Sequence, residues 1–424
     1  MRENQILKIY GTGFKEMTKA LLERADLAAR IPGLEARIGI KPNLVVPSPA
    51  EFGATTHPEI VAAIIEYLQE HGFENICITE GSWIGDKTAD AYEYCGYREI
   101  SEKYAVPFID AQKSKAHKVD CDGVELNICD IVDEIDFMIN VPVLKGHCQT
   151  KITCALKNMK GLIPNSEKRR FHTMGLHKPI AHLSRGIHQD FIVVDHICGD
   201  LDFEEGGNPV VKNCIMAALD PVLVDSYTCY LLHYSPDDVP YIRMAEKLGS
   251  GSTDLRNAEI ISINMEKCLS RDKLAETKIK KDAQNCEAAW DAVKASACSE
   301  SAMAHVRYKC EEKSGNILSM DEELPQERKI LQVAYAVDEV DSCSACYGNL
   351  IPALYRLKEE GLLDRLKERI AIGQGHRGEK GTLGIGRCTA GYEHCIMGCP
   401  PDEEKIYEEL REYILEHTLQ KPVS

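Results

Sequence analysis

Short runs rich in β-branched residues alternate with amphipathic stretches through the first 265 residues of this 424-residue chain. The runs are ARIGIKPNLVV (36–46), NICITEG (75–81), DFMINVPVL (136–144), DFIVVDHI (190–197), NCIMAAL (213–219) and AEIISIN (258–264). Being almost continuously apolar, they suit strands covered on both faces, and the helical stretches between them suit crossover connections. One such stretch, HPEIVAAIIEYLQEHG (57–72), ends on a glycine fitted to a helix C-cap. The pattern predicts an α/β fold with a mostly parallel sheet flanked by helices.

Residues 266–327 change character to a polar helical insertion closed by the linker SGNILSMDEELPQER. A third segment, 328–424, reads as a small βαβα lobe. Its strands are KILQVAYAV and RIAIGQG, and its helices are GNLIPALYRLKEEGLLDRLKE and DEEKIYEELREYILEH. The expected organisation is therefore an α/β domain (1–265), an insertion with linker (266–327) and a cysteine-rich lobe (328–424).

A chain of this length buries enough core not to need disulfide staples. It shows no secretory leader and no apolar run long enough to span a bilayer, so a cytoplasmic setting is expected. In a reducing compartment its 18 cysteines are not a disulfide framework. Most are scattered among apolar neighbours, as small buried hydrophobes are. Five are not. Cys343 and Cys346 form a C-x-x-C turn after the first tail strand, and Cys388, Cys395 and Cys399 follow the second. The C-terminal ends of parallel strands share one edge, so these thiols should converge as metal ligands. Four thiolates satisfy an iron-sulfur cluster, of the [4Fe-4S] type on this reading, or a tetrahedral zinc as the alternative. A redox dithiol at the C-x-x-C turn stays open.

The net charge of −17 excludes a general nucleic-acid binder. Against that average, KGHCQTKITCALKNMKGLIPNSEKRR (145–170) holds seven Lys or Arg and one Glu. Six histidines, His147, His172, His177, His182, His188 and His196, fall in the same part of the chain. Those from His172 to His188 lie five, five and six apart, which does not place neighbours on one helix face as a metal pair needs. Glycine-rich GTGFKE (11–16) and GQGHRGEKGTLGIG (373–386) lack a phosphate-loop ending and read as turns.

INVPVLKGHCQTKITCALKNMKGLIP (139–164), with IKPNLV (40–45), TEGS (79–82), FIVVDHICGD (191–200) and AALDPVLVDSYTCYLL (217–232), resembles the family called domain of unknown function 362. The resemblance covers about residues 36–250 and implies iron-sulfur proteins, some with a C-terminal cysteine-rich lobe; it offers no settled reaction. At the matching positions, Lys41, Glu80, Lys145, His147, Asp195 and Asp225 fall at strand ends or in the following loops. Lys157 and Lys160 share a helix face from which Lys151 is turned away. Lys145, His147 and His172 are the expected catalytic groups, with Lys41, Glu80, Lys157, Lys160, Asp195 and Asp225 as substrate-binding residues.

The expected function is an iron-sulfur protein, with a small anionic molecule in the α/β lobe and a redox partner protein, but no nucleic acid or membrane. Two alternatives stay open. One is a non-redox isomerase, lyase or transferase using the Lys and His groups beside a structural metal. The other is a protein that delivers a cluster or metal.

Overall fold

The computed structural model describes residues 1–207, 209–265, 313–315, 329–340, 342 and 344–419. Seventeen strands lie within these residues. In the first lobe they are β1 (Gln5–Tyr10), β2 (Ile38–Pro42), β3 (Ile76–Glu80), β4 (Phe108–Asp110), β5 (Ala116–Asp120), β6 (Glu125–Cys129), β7 (Phe137–Val141), β8 (Lys145–His147), β9 (Lys151–Thr153), β10 (Phe191–Asp200), β11 (Pro209–Ala218), β12 (Glu259–Asn264) and β13 (Lys313–Gly315). The tail adds β14 (Val337–Glu339), β15 (Ile370–Ile372), β16 (Leu383–Ile385) and β17 (His394–Ile396).

The main sheet runs β13-β12-β1-β11-β10-β7-β2-β3-β4. Five of its pairings are parallel, and β11 runs against both β1 and β10. The expected mostly parallel α/β sheet is the observed one, with the run at 213–219 (in β11) and the edge strand β13 as its antiparallel members. Every residue of β2, β3, β7 and β10 is buried, which is why their sequences do not alternate. The helices Phe14–Ala25 and Pro58–Glu70 seal one face with Leu21, Leu22, Ile64 and Leu68. Helices Ala155–Asn158, His177–Gly186, Pro221–Leu231 and Pro240–Lys247 seal the other.

The tail lobe departs from the expected βαβα unit. Residues 329–336 are helical, and only Val337–Glu339 of the first run pairs as a strand. Beyond β15 the glycine-rich stretch contributes β16, and β17 follows, so four parallel strands stand in the order β14-β15-β16-β17. Glycines hide strand periodicity because they carry no side chain to alternate. Helices Ser344–Glu359 and Glu403–Leu419 cover the sheet with Leu350, Leu354, Leu357, Ile406 and Leu410. Most of the insertion foreseen at 266–327 lies outside the described residues.

The β8-β9 hairpin is held against residues 201–202 so closely that a Cβ on Gly146 would stand 2.2 Å from the Leu201 carbonyl oxygen. Both groups are backbone, so neither can swing aside. Gly146→Ala is expected to lower stability by about 1–3 kcal/mol in urea unfolding. Gly348→Ala, in a helix and with nothing within 4 Å of its Cβ, is expected to raise it by about 0.5–1 kcal/mol.

Candidate functional site: a lysine-rich cavity

Three parallel strands, β2, β3 and β7, deliver their C-terminal ends to one place. There the hairpin β8-β9, the turn Met159–Leu162 and the helix Asn165–Thr173 close over a cavity of about 330 Å³. Lys145, His147, Lys157, Lys160, His172 and Glu80 line it, so most of the expected groups meet here. Lys168, Glu204, Glu205, Asn43 and Trp83 join them. Lys168 belongs to the basic stretch but was assigned no role from sequence, and no motif marks Glu204 or Trp83.

Lys41 lies just beneath, fully buried, paired with Glu80. Burial pushes the Lys41 amine down, opposed by Glu80. Gly161 packs directly on this pair, since a Cβ there would lie 2.1 Å from Glu80 Oε2 and 2.7 Å from Lys41 Nζ.

The remaining cations differ in what holds them. Lys145 Nζ donates to Ala54 O at 2.5 Å, Glu204 O at 2.8 Å and Asn43 Oδ1 at 3.5 Å, which occupies its donors. Lys168 Nζ donates to Gly81 O at 2.9 Å and Ser82 O at 2.7 Å. Lys157 pairs with Glu204 at 3.1 Å and with Thr153 Oγ1 at 3.2 Å. Neither Lys160 nor His172 has a hydrogen-bonding or ion-pairing partner among the described residues. Burial, then the charge of Lys157, brings Lys145 and Lys160 down to about 7. Burial and the Lys160 charge bring His172 down to about 4, so it is a neutral base at pH 7.

His147, Cys148 and Glu204 hold ligand-type atoms within 4.8 Å of one another, the one such trio of metal donors among the described residues. His147 Nδ1, however, accepts from the N–H groups of Gln149 at 3.0 Å and Thr150 at 3.1 Å. The ring proton then sits on Nε2 and is donated to Glu204. Burial pushes the imidazolium down to about 3, so His147 is neutral. Burial opposes ionisation of Glu204, yet His147 and Lys157 hold its carboxyl well below the usual range. A metal at Nε2 would have to displace that proton in a cavity already rich in ammonium groups.

Asp195 and Asp225 are not in the cavity. Asp195 is fully buried, its Oδ2 bonded to the backbone N–H and Nδ1 of His57 at 2.8 Å each. Burial works against the charge on His57, but Asp195 lifts it to about 10. Asp225 accepts from Ala155 N at 2.7 Å and Leu156 N at 3.2 Å, capping the short helix that carries Lys157. It is a positioning group: burial pushes its carboxyl up to about 7, and the two amide donors work against that shift while it holds the helix start. Lys151 also differs: it is exposed on β9 at φ +64°, and strand geometry rather than a helix face keeps it out of the cavity.

In the tail, Cys346 lies in the first turn of Ser344–Glu359, and a Cβ on Gly386 would stand 3.5 Å from its sulfur. Cys395 Sγ is 3.4 Å from Gly386 O, and Cys388 follows two residues later. Cys399, exposed, comes after Gly398, whose oxygen accepts from Arg387 N at 2.9 Å. Cys343 lies outside the described residues. The tail also touches the first lobe: Cys148 is buried in the same apolar cluster as Cys346 and Tyr347, while its neighbour His147 lines the cavity.

Fold and site together define an α/β protein with a cationic strand-end cavity and an appended parallel-sheet lobe. Residues 38–230, a little under half of the chain, match the family described as "Domain of unknown function (DUF362)". The thylakoid-associated protein sll1697 of Synechocystis sp. (strain ATCC 27184 / PCC 6803 / Kazusa) is 24% identical over 234 residues, covering 51% of this chain and 69% of that protein. The lactate racemase apoprotein from Thermoanaerobacterium thermosaccharolyticum superposes with a TM-score of 0.37 at 12% identity, covering 53% of this chain. The chain spans 56% of that structure. Among the described residues no helix is long and apolar enough to cross a membrane.

Because His57 titrates near 10 in the folded protein and near 6.5 when unfolded, the stability its pairing with Asp195 contributes is complete below about pH 6.5. It is lost as pH rises through about 10. The difference in urea midpoint between wild type and His57→Gln should therefore shrink steadily over that window.

Proposed function

We propose that this chain is an iron-sulfur redox protein that binds a small organic anion in the lysine-rich cavity of its α/β lobe. The observation that carries the reading is Lys160: an ammonium with no partner, beside the neutral base His172, in a cavity whose other ammonium groups are already paired or hydrogen-bonded. An anion supplies the missing partner. Lys160 would bind it, His172 would accept or return a proton at its ring nitrogen, and the Lys157-Glu204-His147 chain would hold the wall in place.

For the tail lobe, the reading is supported by three described cysteines, Cys346, Cys388 and Cys395, gathered about Gly386, a turn at φ +85°. With Cys399 and Cys343 they form the thiol set proposed to hold one cluster, of the [4Fe-4S] type. A tetrahedral zinc with bonds of about 2.3 Å would draw its sulfurs to about 3.8 Å of one another, whereas cluster corners keep them further apart. When bound, such a cluster supplies single electrons, exchanged with a partner protein. The Cys148 contact gives the tail a short route to the His147 wall.

A non-redox acid-base enzyme would use the same Lys160 and His172. Metal analysis separates the two readings. Anaerobically purified protein is expected to hold about four iron and four sulfide per chain. Zinc alone, or no metal, would remove the redox reading and leave the acid-base one.

The anion reading has its own test. Carboxylate affinity should be flat below about pH 7 and fall towards tenfold per unit above it, as Lys160 loses its proton. Lys160→Met should abolish that dependence and weaken binding at pH 6 at least tenfold, measured by equilibrium dialysis with a labelled carboxylate. Binding that ignores both pH and the substitution would overturn the reading.

A further inference from the structure

The mouth of the cavity carries an indole. Trp83 lines it and remains 43% exposed, a large fraction for so apolar a ring on a segment that is otherwise firmly held. Lys168 binds the carbonyls of Gly81 and Ser82, and Ser82 Oγ donates to Leu44 O at 2.6 Å. Gln112 Nε2 donates to the carbonyls of Ser82, Trp83 and Asp86 at 3.0–3.1 Å. The indole N–H donates to Asp86 at 2.5 Å, which fixes the ring about its own axis. Gly85 makes room for it, since a Cβ there would lie 2.1 Å from the ring. The ring is thus pre-positioned, with no flexibility to lose on binding, and it shares the mouth with the side chains of Val45 and Ile84.

We infer that the ligand is a single-ring aromatic monocarboxylic acid, its carboxylate on Lys160 and its ring stacked on Trp83. This rests on the anion reading above and specifies its chemistry. One unpartnered ammonium matches one negative charge; a phosphate dianion would face Glu80, Glu204 and Glu205 with no second free cation among the described residues. A cavity of about 330 Å³ stands at the small end of ligand sites and is ample for one ring. An aromatic ring offset-stacked on indole gains beyond its apolar burial, which an aliphatic acid cannot match. Trp83 is accordingly a specificity residue, and Lys160 the charge anchor.

The sequence holds two tryptophans, so Trp290→Phe leaves Trp83 as the sole reporter. In that protein, titration with benzoate should quench Trp83 fluorescence, with benzoate binding about tenfold more tightly than acetate or inorganic phosphate at pH 6. Trp83→Ala, followed by equilibrium dialysis, should bring benzoate down to the level of acetate while leaving acetate unchanged. Lys160→Met should weaken both acids. If acetate binds wild type as tightly as benzoate, or Trp83→Ala leaves benzoate affinity intact, the aromatic assignment fails while the anion site stands. If benzoate, acetate and phosphate all fail to bind, the anion site fails and the assignment falls with it.

Discussion

Lys41 and Glu80 form a charge pair at the buried ends of two adjacent strands, and the cavity is built over them. Breaking such a pair from one side costs about 3–5 kcal/mol, because the abandoned charge has no water to turn to. Neither residue can therefore change alone. Gly161 is forced by the same pair, since no Cβ fits above it, and the turn bearing Lys160 follows from Gly161. Across the cavity Lys157 and Glu204 repeat the device, with His147 donating to the same carboxylate. Two satisfied ion pairs make a rigid polar floor and wall, against which a third ammonium, Lys160, is left without a partner.

This arrangement explains why several lysines can share a small volume. Two are neutralised by glutamates, two are bound by backbone carbonyls, and Lys160 is brought down to about 7. An amine near neutrality is charged often enough to attract an anion and neutral often enough to exist unpaired. Asp225, Gly146 and Gln112 have no contact with the space itself, yet they fix the helix, hairpin and loop that present its groups. The tail lobe shares an apolar cluster with Cys148, whose chain neighbour His147 lines the same wall.

Much of this could be read from the chain. The apolar strands announced the sheet because burial on both faces leaves no polar alternation, and their ends located Lys145, Lys157 and Lys160. His172 joined them through its place in a basic segment. Asp195 and Asp225 have the same strand-end or helix-start signature, but sequence does not reveal that their carboxylates are spent on His57 and on the Ala155 and Leu156 amides. Glu204 and Trp83 arrive from distant loops whose approach depends on tertiary packing. In the tail, β16 and β17 escaped notice because glycine and single cysteines erase the strand pattern, although the cysteine spacing itself was plain.

The central claim is that Lys160 is an unpartnered amine whose proton is lost near neutrality. Trace acetylation with acetic anhydride from pH 6 to 10, followed by peptide mass spectrometry, measures this directly. The account predicts that the Lys160 peptide reacts with a midpoint near 7, well before the surface lysines, whose ordinary value is about 10.4. A Lys160 midpoint indistinguishable from that of the surface lysines would contradict it.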